Sequence, residues 1–283
     1  MSPILQNKVA VITGASRGLG LAIARAYTRE GASVVLAART QAAIDPIVAE
    51  FTAHGKPAAG LACNVSNLEQ VESLACLAEQ RFGRIDIWVN NAGVSGPYGP
   101  TPWVQPESFV NTLQTNIIGT YNGSITALKR FQKQGSGKLI NLLGAGTDRP
   151  APQQNAYGSS KVWIRWFSTA LASEIAGSGI EVMMLQPGLM VTDMITNVEA
   201  VEGYTEKVKP HETVTRIFGV QPEHSAEKAL WMASAATDGK NGLRVNAVGR
   251  GRALRGALAE LFARLSGKKF PSTLKIRELP RHR

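Results

Sequence analysis

The largely apolar, β-branched run Lys8-Val9-Ala10-Val11-Ile12 ends in Thr13-Gly14-Ala15-Ser16-Arg17-Gly18-Leu19-Gly20, and a helical pattern then follows through Glu30. A strand, a glycine turn and a helix in immediate succession leave few choices of fold, because the turn must reverse the chain onto the strand it has just left. Glycine removes the side chains that would keep backbone amides and a helix N-terminus away from a pyrophosphate. The spacing, Gly-x-x-x-Gly-x-Gly, differs from the Gly-x-Gly-x-x-Gly dinucleotide fingerprint. On its own, the turn therefore fits either a phosphate cradle or tight helix-strand packing.

Strand-like runs at residues 33–38, 58–65, 85–90, 138–143, 181–185 and 243–248 alternate with helix-length amphipathic segments. This alternation predicts a parallel, doubly wound sheet with helices on both faces. A chain of 283 residues with 44% hydrophobic content can bury such a core as one domain. Gly135-Ser136-Gly137 and Gly177-Ser178-Gly179 mark sharp turns between a helix and the next strand. In folds of this kind ligands bind outside the carboxyl ends of the strands.

Tyr157 precedes Lys161 by four residues, which places both on one face of a helix. A phenol with a pKa of about 10 is a poor acid or base at neutral pH, and a fixed ammonium nearby favours its ionised form. The pair is therefore a candidate for acid/base chemistry. Three further signatures lie in order along the chain: Asn90-Asn91-Ala92-Gly93 after a strand, Asn116 in Thr115-Asn116-Ile117-Ile118-Gly119, and Pro187-Gly188 followed by Thr192.

With the glycine turn and the Tyr157/Lys161 pair, these five signatures at these separations make the chain resemble the short-chain dehydrogenase/reductase family from about Lys8 to Gly249. The resemblance implies a single Rossmann-type domain of about seven strands, residues 1–249. It also implies an oxidoreductase that moves hydride between a nicotinamide and a carbonyl/alcohol substrate. Tyr157 would donate the proton, Lys161 would lower the Tyr157 pKa and bind the ribose, and Asn116 would hold a water relaying protons to Lys161. Gly14, Ser16, Arg17, Gly18, Leu19 and Gly20 would cradle the cofactor. Asn64 and Val65 would meet the adenine, where the family usually has Asp-Val. Asn91, Ala92 and Gly93 would line the ribose, and Thr192 would hold the carboxamide beside Pro187 and Gly188. At the end of the second strand the chain reads Ala37-Ala38-Arg39-Thr40 and lacks the acid expected for NAD. Arg39 and Arg17 would instead clamp the 2′-phosphate of NADP(H).

The principal departure is Gly144, thirteen residues before Tyr157, where the family places a serine that binds the substrate carbonyl. Three readings follow: a neighbouring group, such as a backbone amide of the Gly144-Ala145-Gly146 turn or the Thr147 hydroxyl, replaces the donor; the substrate supplies a polar group of its own; or the protein no longer reduces carbonyls. Reduction of an imine or a conjugated C=C, and a non-catalytic NADP(H)-binding sensor or scaffold, are the corresponding alternatives. The loop 94–105, with Tyr98 and Trp103, and the stretch after Thr192 containing Met194, Ile195, Val198, Tyr204, Ile217 and Phe218 suggest a mostly hydrophobic substrate.

Residues 250–283 hold seven arginines and three lysines against two glutamates, and so carry most of the net charge of +10. Leu254, Leu258, Leu261 and Leu265 recur there at helical spacing. This predicts a basic amphipathic helical extension packed on the domain or on a partner subunit, in preference to peripheral membrane contact. Cys63 and Cys76 have no metal-ligand spacing to the four histidines, so no metal is expected. No apolar run is long enough to span a membrane and the first residues lack a signal-peptide pattern, so a cytoplasmic protein is expected. The resemblance adds a homodimer or homotetramer built on the helix with Trp163, Ile164, Trp166, Phe167 and Leu171. No specific nucleic-acid partner is expected.

Overall fold

A computed structural model describes residues 3–249, 266 and 274–282. The chain alternates strand and helix: β1 Val9–Thr13, α1 Gly18–Arg29, β2 Ser33–Ala38, α2 Asp45–Ala53, β3 Ala58–Ala62, α3 Leu68–Phe82, β4 Ile87–Asn90, α4 Pro106–Leu113, α5 Gly119–Gln134, β5 Gly137–Leu142, α6 Asn155–Glu174 and β6 Ile180–Gln186. The short elements α7 Asp193–Thr196, β7 Asn197–Val201, α8 Thr205–Val208 and α9 His211–Phe218 follow, then α10 Pro222–Ala233, β8 Arg244–Asn246 and β9 Lys275–Leu279. The main sheet has seven strands in the order β3-β2-β1-β4-β5-β6-β8, and every pairing in it is parallel. This is the doubly wound sheet expected from the alternation.

Side chains of a strand alternate between faces, and both faces of β1 are apolar because both are covered. Ala10 and Ile12 join a core with Ile23 and Tyr27 of α1, Phe51 of α2 and Leu230 of α10. Val9 and Val11 join the opposite core with Leu74 of α3, Phe131 of α5 and Leu171 of α6. Each such fully buried aliphatic side chain contributes about 1.5–3 kcal/mol. The strand order reverses between β1 and β4, so the loops at the carboxyl ends of these strands open a crevice there.

Two features depart from the expected outline. β3 stops at Ala62, short of Val65, because the Asn64 side chain turns the chain by accepting from the Ser66 amide at 3.2 Å and hydroxyl at 2.9 Å. The second lies in the basic tail, where residues 254–265, read as a helix, fall outside the described residues. The described end of the tail forms β9, which pairs in parallel with β7 from Asn197↔Lys275 to Val201↔Leu279. On the other edge of β7, Tyr98 forms a bridge with Ala200. Val198, Ala200, Tyr204 and Val208 make a satellite core here, with Tyr98, Trp103 and Ile276 packed against it. Val198 and Tyr204 therefore support a loop. Among the described residues, no helix is long and apolar enough to cross a membrane.

Candidate active site

The glycine turn is shaped by close approach. Gly14 has φ +65°, and a Cβ there would lie 2.8 Å from Ala92 Cα, while a Cβ on Gly20 would run into the Gly14 carbonyl. Asn91 ties the turn down through its side-chain amide, which donates to the Thr13 and Gly14 carbonyls at 2.9 and 3.1 Å. The amides of Asn91 and Ala92 both donate to the Thr13 hydroxyl at 3.1 Å. The first turn of α1 carries no acid, and no side chain caps its amides. Leu19 is buried in the core beneath, while Ser16 lies at the rim. Such an electropositive, side-chain-free helix start fits a pyrophosphate.

Arg39 is exposed at the end of β2, whose Ala37 carbonyl accepts from the Ala15 amide of the turn at 2.9 Å. Arg17 is also exposed and donates to Asp193 at 3.1 Å, a contact not foreseen from the sequence. Thr192, which precedes α7, approaches the turn closely enough that a Cβ on Gly18 would lie 3.3 Å from its methyl group. Pro187 and Gly188 hold their bend through the Ser225 hydroxyl, which donates to the Pro187 carbonyl at 2.7 Å. Asn64 stands exposed after β3 with its side-chain oxygen already engaged by Ser66, and Val65 is buried beside it.

Across the crevice, α6 presents Tyr157 and Lys161 to the end of β5. Gly144 is buried there, and a Cβ on it would overlap the Tyr157 hydroxyl and lie 3.2 Å from Lys161 Cε. The phenol thus occupies the volume that a serine side chain would need. The Thr147 hydroxyl donates its proton to the Gly144 carbonyl at 2.7 Å, so it is not aimed at a substrate. Lys161 is buried; its ammonium donates to the Leu142 carbonyl at 3.1 Å and lies 5.5 Å from the Tyr157 ring centroid. Burial pushes the Tyr157 hydroxyl well above the usual phenol range, and Tyr98 adds to the shift. Burial pulls Lys161 down to about 8. In this geometry desolvation governs the phenol and keeps it protonated.

Asn116 is fully buried in the π-helical turn Gln114–Ile118 between α4 and α5. Such bulges often occur at functional positions. Its side chain accepts from the Val94 amide and donates to the Val94 carbonyl, both at 2.9 Å, and donates to Ser160 at 3.1 Å. It clamps the start of the loop 94–105. Its backbone carbonyl accepts from Thr120 at 2.7 Å, and Lys161 donates elsewhere.

A narrow cleft lies beside Tyr157, lined by Pro97, Val104, Phe109, Gln153 and Gln154. The polar triplet Gln153-Gln154-Asn155, separated from Tyr157 by Ala156 alone, borders this cleft and is the one sequence signal for it.

A buried ammonium with one carbonyl partner is costly. Lys161→Met is therefore expected to raise stability by on the order of 1–3 kcal/mol at pH 7. The wild-type deficit is full below about pH 8, the folded value. It fades as pH rises toward the unfolded value of about 10.4, because the unfolded chain binds more protons across that window. Denaturant unfolding of both proteins at pH 7 and pH 10 checks this, and an equal gap at both pH values contradicts it.

A family model described as short chain dehydrogenase matches residues 8–203. The 3-oxoacyl-[acyl-carrier-protein] reductase FabG of Haemophilus influenzae is 34% identical over 190 residues, 67% of this chain and 77% of that protein. Dehydrogenase/reductase SDR family member 4 of Sus scrofa is 33% identical over 189 residues, 67% of this chain and 68% of that protein. Among solved structures, a gluconate 5-dehydrogenase from Burkholderia cenocepacia, in complex with NADP and tartrate, superposes with a TM-score of 0.77 at 25% identity. The match covers 89% of this chain and 98% of that one.

Proposed function

Because the chain belongs to the short-chain dehydrogenase family, we propose that it is an NADP(H)-dependent oxidoreductase that reduces the carbonyl of a compact, largely apolar ketone to an alcohol. The observation that carries this reading is Tyr157 lining a cleft, with the Lys161 ammonium 5.5 Å from its ring centroid. When bound, NADP(H) supplies the hydride. The amides at the start of α1 and the close-packed glycines 14, 18 and 20 receive the pyrophosphate, and Arg39 with Arg17 receives the 2′-phosphate. The NADP-bound gluconate 5-dehydrogenase and the ketoacyl-type relative support the cofactor and the carbonyl chemistry respectively.

Tyr157 gives its proton to the substrate oxygen as charge develops there. Lys161 then lies close enough to stabilise the phenolate left behind. Asn116 holds Val94, and with it one wall of the cleft. Val104, Phe109 and Pro97 set the apolar side of the substrate site.

Residues 1–249 act as the catalytic domain, and residues 274–282 act as a brace that closes its substrate side. A second copy of the chain fits the face of α5 and α6. Tyr121, Val162 and Trp166 are exposed there, Trp163 stacks on Phe167 at 4.5 Å, and Ile164 and Leu171 turn inward to their own core.

The test is oxidation of NADPH and NADH against a panel of ketones. NADPH is expected to be preferred, and Arg39→Asp is expected to lower that preference at least about tenfold, since a charge-assisted bond to phosphate is lost and a carboxylate repels it. Equal use of both cofactors by the wild type, or an Arg39→Asp variant with unchanged preference, contradicts the assignment.

A further inference from the structure

Gly144 removes the side-chain hydroxyl expected to hold the substrate carbonyl, and the Thr147 proton is committed to the Gly144 carbonyl. The cleft must then present another donor beside Tyr157, or leave the developing oxyanion with a single partner. One buried polar side chain meets the requirement. Gln154 lies three residues before Tyr157, is 9% exposed, and lines the same cleft as Tyr157.

The backbone that delivers Gln154 is strained and held. Gln153 has φ +65°, and among the described residues only Asn7 and Gln153 adopt this left-handed region without being glycine. Such a conformation costs on the order of 1–3 kcal/mol and persists only where the surroundings enforce it. Here the residues on either side of Gln154 are pinned to the facing loop. The Gln153 carbonyl accepts from the Gly99 amide at 2.9 Å and the Asn155 side chain donates to the Thr101 hydroxyl, while Gln154 between them lies beside the Tyr98 hydroxyl and offsets part of the upward shift that burial gives that phenol.

Tyr98 is itself fixed. Its amide donates to the Glu199 carbonyl and its carbonyl accepts from the Val201 amide, both at 2.8 Å, and its ring meets the edge of His211 at 4.8 Å. A primary amide has two N–H donors and an acceptor oxygen. Placed beside Tyr98 and between two pinned neighbours, the amide keeps donor capacity for a molecule in the cleft.

We infer that Gln154 is a catalytic residue, its side-chain amide donating to the substrate carbonyl oxygen in place of the missing serine, with Tyr98 as the positioning residue that holds the amide in place. The inference rests on the carbonyl-reductase reading above and specifies which group completes that site. It also makes the β7–β9 sheet part of the active site, since Tyr98 owes its position to β7, and β7 is bordered on its other edge by β9.

The experiment uses the full chain, NADPH and the ketone that the wild type turns over fastest, with NADPH binding followed by fluorescence for every variant. Gln154→Leu is expected to lower kcat/KM on the order of 10²-fold, the effect of removing one oxyanion donor, with most of the loss in kcat and with NADPH affinity unchanged. Gln154→Glu is expected to be poor at pH 8 and to gain on the wild type as pH falls to 5.5, because only the protonated carboxyl can donate. A merely structural role would not produce that rise. Tyr98→Phe is expected to lose several-fold in kcat while retaining NADPH affinity. Gln154→Leu within threefold of the wild type, or a Gln154→Glu pH profile parallel to the wild type, overturns the inference and leaves the reductase reading standing. Absence of ketone turnover by the wild type overturns both.

Discussion

Tyr157→Phe is expected to lower kcat for ketone reduction by roughly 10²–10⁴, the range contributed by a positioned general acid, while leaving NADPH affinity within about twofold. The substitution removes one oxygen and keeps the ring that fills the space over Gly144. The fold is therefore not at stake: the phenol hydroxyl makes no hydrogen bond within the described residues on which the packing depends. Burial holds this hydroxyl protonated at neutral pH, so the wild-type residue enters the reductive reaction as an acid with its proton in place. Stopped-flow or steady-state NADPH oxidation, paired with fluorescence titration of the cofactor, reads both quantities. A Phe variant with wild-type turnover removes Tyr157 from the chemistry.

Gly144→Ser is expected to impair the enzyme, although it restores the residue type the family carries. A Cβ at this position overlaps the Tyr157 hydroxyl, lies 3.0 Å from its Cζ and lies 3.2 Å from Lys161 Cε. The glycine is thus a seat for the phenol, and a side chain there drives the ring outward or strains the end of β5. Overpacking of this kind costs about 1–3 kcal/mol in stability. Displacing the proton donor by about 1 Å is expected to cost on the order of 10²-fold in kcat/KM. Gly144→Ala carries the same Cβ without a hydroxyl, so the two variants are expected to fall together. Assay of both against the ketone panel, with thermal unfolding alongside, checks the argument. Serine raising ketone turnover above the wild type while alanine lowers it would mean that Tyr157 tolerates displacement and that a hydroxyl at 144 is what the site lacks.

Much of this site could be read from local sequence because the chemistry demands local spacing. The glycine turn announces itself through Gly14 and Gly20, where a Cβ would have no room, and through Gly18, whose φ of +55° favours glycine. Tyr157 and Lys161 share a face because they are one helical turn apart. Asn116 stands out by motif, and the structure places it in a π-helical turn between two helices. The seven-stranded parallel sheet follows from apolar runs separated by amphipathic helices, each strand buried on both faces.

Contacts distant in sequence could not be read in this way. β9 is a strand only because β7 offers it an edge some 78 residues earlier, and its alternating Lys275-Ile276-Arg277 pattern is too short to stand alone. The Arg17 to Asp193 contact joins residues 176 apart. Asn64 and Asn91 were assigned to the cofactor by motif, while the structure shows what else their side chains do: Asn64 turns the chain through Ser66, and Asn91 fastens the glycine turn. The polar run Gln153-Gln154-Asn155 does not by itself single out Gln154, because polar residues are common before a helix. Its significance appears only when Tyr98, Gly144 and Thr147 are seen together.

In the proposed reaction this chain moves a hydride from a nicotinamide to a carbonyl carbon with Tyr157 as the proton donor. The most direct measurement is reduction of the best ketone in the panel by NADPH carrying deuterium at nicotinamide C4, with the alcohol analysed by mass spectrometry for wild type and Tyr157→Phe. The account predicts one deuterium on the carbinol carbon of the wild-type product and at least a hundredfold less product from the variant. Alcohol formed without deuterium, or formed equally by both proteins, would contradict it.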